Sequence, residues 1–145
     1  MAVRLSAEAD RVIRDAAARA YPEECCGLLV GRGQVDGTLI IERAVTSRNL
    51  SAGSRRDSFE VDPKVRFDLM RDLEARPAAG RRIVGHYHSH PDHPAVPSER
   101  DREQAHEPEF IWLIAAVAAG RVTALTAHRV TPDGFRRLSL ETEST

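Results

Sequence analysis

Three features of the sequence predict an α/β layered domain with a mixed, largely antiparallel sheet flanked by helices. Apolar runs of strand length recur from Cys25 onward, several of them joined across short turns as hairpins require. Two segments, after Ser6 and after Asp62, combine a capping residue with a helical apolar stripe, and helices interspersed with hairpins imply layers. The chain has 145 residues, 41% of them apolar. That suits one sizeable core, so residues 1–140 are expected to form a single domain and 141–145 a loose tail.

Taken in order, Ser6 caps a helix running to about Ala20, with Glu8 in its first turn and Val12, Ile13, Ala16, Ala17 and Ala20 on one face. Tyr21-Pro22 ends it. Cys25 to Gly31 reads as a strand, and Thr38 to Val45 as its hairpin partner across a Gly33 to Gly37 turn. Gly31-Arg32-Gly33 is read as turn chemistry, because no helix follows to make it a phosphate loop. Ser47 to Asp57 is a polar loop and Ser58 to Val61 a short strand. Asp62 then caps a helix with Pro63 at its first position and Val65, Leu69, Met70 and Leu73 buried. Arg81 to His90 is the next strand, and Ser98 to about His106 a short helix. Phe110 to Val117, Val122 to Val130 and Phe135 to Leu140 complete the strands.

The net charge is −1, with acidic and basic residues interleaved, which excludes an extended nucleic-acid or membrane surface. The run Phe110 to Ala119 is too short to span a bilayer, and Arg4, Glu8, Asp10 and Arg11 interrupt any leader-like core near the N-terminus. A cytoplasmic location is therefore expected. Cys25 and Cys26 are adjacent, so in an extended segment they face opposite ways and neither bridge nor chelate together. Both are read as small buried hydrophobes. Trp112 belongs to the core.

The chemistry gathers in His88-Ser89-His90-Pro91, followed by Pro97-Ser98-Glu99-Arg100-Asp101. Strand alternation places His88 and His90 on one face, where two neutral imidazoles can share a metal ion. Asp101 would complete the set and leave a fourth position open, the pattern of catalytic zinc. Ser98 and Asp101 also fit a helix capping pair, which alone would explain neither histidine. A base is needed to take a proton from water, and the acidic candidates are Glu23 and Glu24, between which the sequence does not choose. Such a site hydrolyses amides.

Pro22-Glu23-Glu24-Cys25-Cys26-Gly27-Leu28-Leu29-Val30-Gly31, Gly85-His86-Tyr87-His88-Ser89-His90-Pro91 and Pro97-Ser98-Glu99-Arg100-Asp101 together resemble the JAMM (MPN-plus) metalloproteases, notably their small single-domain prokaryotic members. The resemblance spans nearly the whole chain. It implies a cytidine deaminase-like fold, one catalytic zinc per chain on His88, His90 and Asp101, Glu24 as general acid/base, and Ser98 as the donor that steadies the oxyanion. It further implies hydrolysis after the C-terminal glycines of a ubiquitin-like or sulfur-carrier protein, whose tail would be the partner.

Two other functions are compatible with this composition. One is a non-catalytic MPN-type binding module for the same carrier; the other is an iron oxygenase built on a two-histidine, one-carboxylate triad, in which Glu24 and Ser98 would be idle. His86 shares the face of His88 and is assigned a packing role, His93 a solvated or substrate-facing one, and His106 and His128 none. The loop Ser47 to Asp57 and the segment Asp92 to Val96 are expected to flank a groove for an extended tail.

Overall fold

The computed structural model describes residues 2–34 and 37–143, with no account of the Ala78 side chain. Its elements run β1 (Ala2–Leu5), α1 (Ala7–Ala20), β2 (Cys26–Gly33), β3 (Thr38–Ser47), α2 (Pro63–Glu74), a 3-10 turn (Pro77–Ala79), β4 (Arg82–Pro91), α3 (Glu99–Gln104), β5 (Ile111–Ala118), β6 (Arg121–Thr131) and β7 (Gly134–Thr142). The helices begin where local chemistry dictates. Ser6 accepts the Ala9 N–H at 3.1 Å, and Asp62 accepts that of Lys64 at 2.9 Å ahead of Pro63.

The strands close into a barrel in the order β1-β3-β2-β4-β5-β6-β7, with β7 returning to β1. This corrects the expectation of a largely antiparallel layer. The pairs β1·β3, β1·β7 and β4·β5 are parallel, and β2·β3, β2·β4, β5·β6 and β6·β7 antiparallel. Closure depends on β1, whose four residues sit between β3 and β7. That pairing also carries β7 through Glu141 and Thr142, which were expected to lie in the loose tail; residues 144–145 of that tail lie outside the described residues.

Other expectations shift locally. Gly31 and Gly33 belong to β2, past a bulge at Val30/Gly31; a Cβ at Gly31 would lie 2.2 Å from the Ile40 carbonyl oxygen, so only glycine lets β3 approach. Residues 35–36 of the expected turn lie outside the described residues. Ser58 to Val61 forms a single bridge, Asn49 to Val61, because the Asn49 side chain takes the backbone groups a ladder would use. Met70 is exposed on α2, while Leu69 is buried.

The main core lies between the barrel and α1, and includes Val3, Leu5, Ile13, Ala17, Leu29, Leu39, Ile41, Tyr87 and Leu113. Cys25 packs into it, whereas Cys26 faces the opposite cluster of Phe59, Trp112 and Val130. That second face carries the site. Cys26 pairs with His88 and Leu28 with His86, so the imidazoles of β4 stand on the side away from α1.

Candidate metal centre

β4 and β5 run parallel and in tight contact, since a Cβ at Gly85 would lie 1.9 Å from the Ile111 carbonyl oxygen. On this rigid pair His88 is fully buried and His90 nearly so. Phe59 stacks on the His88 ring at 4.3 Å between centroids, and Trp112 meets it edge-on at 5.5 Å. α3 then brings Asp101, 4% exposed, over both rings. His90 Nε2 lies 3.0 Å from His88 Nε2 and 3.0 Å from Asp101 Oδ2, and His88 Nε2 lies 3.3 Å from Asp101 Oδ1.

Whether these three residues suit a metal follows from their protons. His90 Nδ1 donates to the Pro94 carbonyl at 2.8 Å, which leaves its Nε2 lone pair facing the other two donors. Electron-rich atoms this close need a proton or a cation at their common point. Donors about 2.0–2.1 Å from a tetrahedral zinc stand about 3.3 Å from each other, so the observed spacing fits. Burial opposes charge on all three. It lowers the His88 pKa; for His90 it is outweighed by Asp101 and the Pro94 carbonyl, which raise it. Asp101 is likewise opposed by burial, yet hydrogen bonds to both imidazoles hold it well below the usual carboxylate range.

Ser98 and Asp101 form a complete capping box as well. Asp101 Oδ2 accepts the Ser98 N–H at 2.9 Å, and Ser98 Oγ accepts the Asp101 N–H at 3.1 Å. Capping and a place beside both imidazoles are therefore compatible in one carboxylate. With Oγ occupied as an acceptor, the Ser98 hydroxyl proton is free to donate elsewhere.

Glu24, 5% exposed, is buried where Glu23 is exposed, which separates the two candidates. Cys25, although it precedes β2, stays tied to β4: its N–H donates to Ser89 Oγ at 2.8 Å and its carbonyl accepts the Ser89 N–H at 3.2 Å. That keeps the alternation, so Glu24 follows Cys26 to the site face. Glu24 Oε1 has no hydrogen-bond partner among the described residues, and burial raises the carboxyl to about 8. Glu24, His90, His93 and Ser98 line one cavity of about 260 Å³, with Asp57 and Val96 on its walls as the two expected flanking segments require.

The remaining candidates fall outside the donor group. His86 packs on Trp112 at 4.2 Å, and burial takes its pKa well below the ordinary value. Burial also pushes the Cys25 and Cys26 thiols up to about 11 and about 12, unsuited to nucleophiles at neutral pH. His106 is exposed, and His128 is buried beside Thr126. Sequence reasoning missed Asn49, whose Nδ2 donates to the Glu24 carbonyl at 3.1 Å and the Ser58 carbonyl at 2.9 Å, and Pro94, whose carbonyl orients His90. Asn49 acts across a long stretch of chain, and Pro94 acts through a backbone carbonyl four residues past His90, which no side-chain pattern signals.

Known proteins resemble this chain in sequence and in fold. The desampylase of Haloferax volcanii is 38% identical over 133 residues, covering 90% of this chain and 86% of that protein. A Thermus thermophilus protein named "Probable TtuB-protein conjugate cleaving protease" is 34% identical over 87 residues, 60% of this chain and 52% of the relative. A solution structure from Desulfitobacterium hafniense superposes with a TM-score of 0.82 at 26% identity, covering 99% of this chain and 94% of that one. A JAB1/MPN domain protein from Archaeoglobus fulgidus shares the fold, with a TM-score of 0.62 at 18% identity over 97% and 99% of the two chains. Residues 6–129 match the model for prokaryotic homologs of the JAB domain, and the chain belongs to that family.

Proposed function

We propose that this chain is a zinc-dependent JAMM-type peptidase or isopeptidase that cleaves the amide bond after the C-terminal glycines of a ubiquitin-like or sulfur-carrier protein. One observation carries the reading: the buried His88, His90 and Asp101 donor group reaches, through His90, the cavity that Glu24 and Ser98 also line. The names of two relatives, a desampylase and a conjugate cleaving protease, support both the enzymatic reading and this substrate class.

His88, His90 and Asp101 would hold one zinc, which would supply Lewis acidity and bring the pKa of a water towards about 7. The chain's own groups do the rest. Glu24, buried and without a hydrogen-bond partner at Oε1 among the described residues, receives the water's proton and delivers it to the departing amine. The first step needs Glu24 ionised, a form that positive charge held by His90 and Asp101 would favour. Ser98 donates its free hydroxyl proton to the carbonyl oxygen as negative charge develops there. The Pro91–Pro97 segment and the loop before α2 form the walls along which an extended tail reaches Ser98 and Glu24.

The test is mass spectrometry of ubiquitin-like proteins extended by one residue beyond Gly-Gly, after incubation with zinc-loaded protein. Loss of that single residue is expected. Tight carrier binding with no cleavage would instead establish the non-catalytic binding module, and amide hydrolysis by a zinc-only preparation excludes the iron oxygenase.

A further inference from the structure

We propose that Thr126 and His128, buried side by side on β6, position the metal donor His90 by fixing the loop that follows it. The inference rests on the metal reading above and concerns a part of the chain outside the donor group. Three short contacts link the two regions. His90 Nδ1 donates to the Pro94 carbonyl at 2.8 Å; one residue on, the Ala95 carbonyl accepts from Thr126 Oγ1 at 2.6 Å; and Thr126 Oγ1 lies 2.9 Å from His128 Nε2.

The proton count sets the direction. A carbonyl brings no proton, so the single Thr126 hydroxyl proton points at Ala95. His128 must then carry its proton on Nε2 and donate to the Thr126 lone pair. Burial lowers the His128 pKa to about 4, so the ring is neutral and holds one such proton. Thr126 is 6% exposed and His128 4%, and a hydroxyl and an imidazole sealed from water are costly unless they satisfy each other or a third group. Here the third group is the Ala95 carbonyl.

Ala95 is also held by its side chain, which packs against Ile114 and Ala116 of β5. The Pro94 and Ala95 carbonyls belong to adjoining peptide units, so anchoring the second limits the swing of the first. The outcome at His90 is one tautomer and one ring orientation, with the Nε2 lone pair aimed at Asp101 and His88. Without the Thr126 hydroxyl, the Ala95 carbonyl loses its 2.6 Å donor and keeps only the nearby His128 ring, or it turns and takes the Pro94 carbonyl with it.

Zinc dissociation constants from chelator competition, with nitrogen NMR of His90 in the zinc-free proteins, test this on wild type, Thr126→Val, Thr126→Ser and His128→Asn. Thr126→Val is expected to weaken zinc binding about tenfold or more and to mix the His90 tautomers. Thr126→Ser keeps the hydroxyl and should stay near wild type in both readings. Wild-type affinity with a single tautomer in Thr126→Val, or equal loss in Thr126→Ser, would overturn the proposal. If the valine variant does not fold, His128→Asn decides by the same readings. A wild type that binds no zinc overturns the metal reading, while the tautomer comparison, made without metal, still decides the role of Thr126.

Discussion

At Glu24 the folded metal-free chain and the proposed chemistry place opposite demands on one carboxyl. Burial raises its pKa from 4.5 to about 8, so the folded metal-free chain favours the protonated carboxyl. Its contribution is therefore complete below about 4.5 and is lost as the pH rises through about 8, because the native state binds more protons than the unfolded chain in between. Glutamine does not titrate. Thermal denaturation of the metal-free wild type should accordingly lose ground to Glu24→Gln as the pH rises across that window; parallel curves would contradict the assignment. The comparison cancels the histidine contributions common to both proteins. With zinc, Glu24→Gln should keep the metal and lose hydrolysis by at least about 10²-fold, since no proton acceptor remains. Residue chemistry alone left Glu23 and Glu24 open and only the family resemblance pointed to Glu24; how Cys25 meets Ser89 across the barrel shows why Glu24 is the buried one.

At the scale of elements, α3 is the piece whose stability and function are joined. Six residues are too few to hold a helix by themselves, and the capping box between Ser98 and Asp101 compensates. Ser98→Ala should thus act twice. Loss of the cap costs about 1 kcal/mol, read as a lower melting temperature, and loss of the hydroxyl donor lowers kcat by about 10²–10³ with KM little changed. A fall in stability with unchanged kcat would leave Ser98 a cap only. The helices and most strands were legible in the sequence because caps and apolar periods are local, as Ser6 and Asp62 illustrate. β1 was not: Ala2–Leu5 is too short for a periodic signal and becomes a strand only through β3 and β7. For the same reason Ser58 to Val61, with strand-like residues, stays a single bridge once Asn49 claims its backbone.

For the whole molecule, barrel closure determines what reaches the site. The layered α/β class was readable from the order of helices and strands, but closure is a property of pairings between the two ends of the chain, and alternation within a strand carries no record of them. The donor group divides in the same way. His88, His90, Ser98 and Asp101 lie within fourteen residues and could be seen together, whereas the Asn49 support of Glu24 and the Thr126–His128 anchor of the loop after His90 arise only when β2 and β5, the neighbours of β4, bring the loop after β3 and strand β6 to it. Among the described residues no helix is long and apolar enough to cross a membrane. The claim that unites these scales is that Asp101, delivered by α3, completes a metal site with two histidines of β4. It is tested most directly by metal analysis of purified, dialysed wild type and Asp101→Ala. The account predicts close to one zinc per chain in the wild type and close to none in the variant; a folded Asp101→Ala protein that keeps stoichiometric zinc would contradict it.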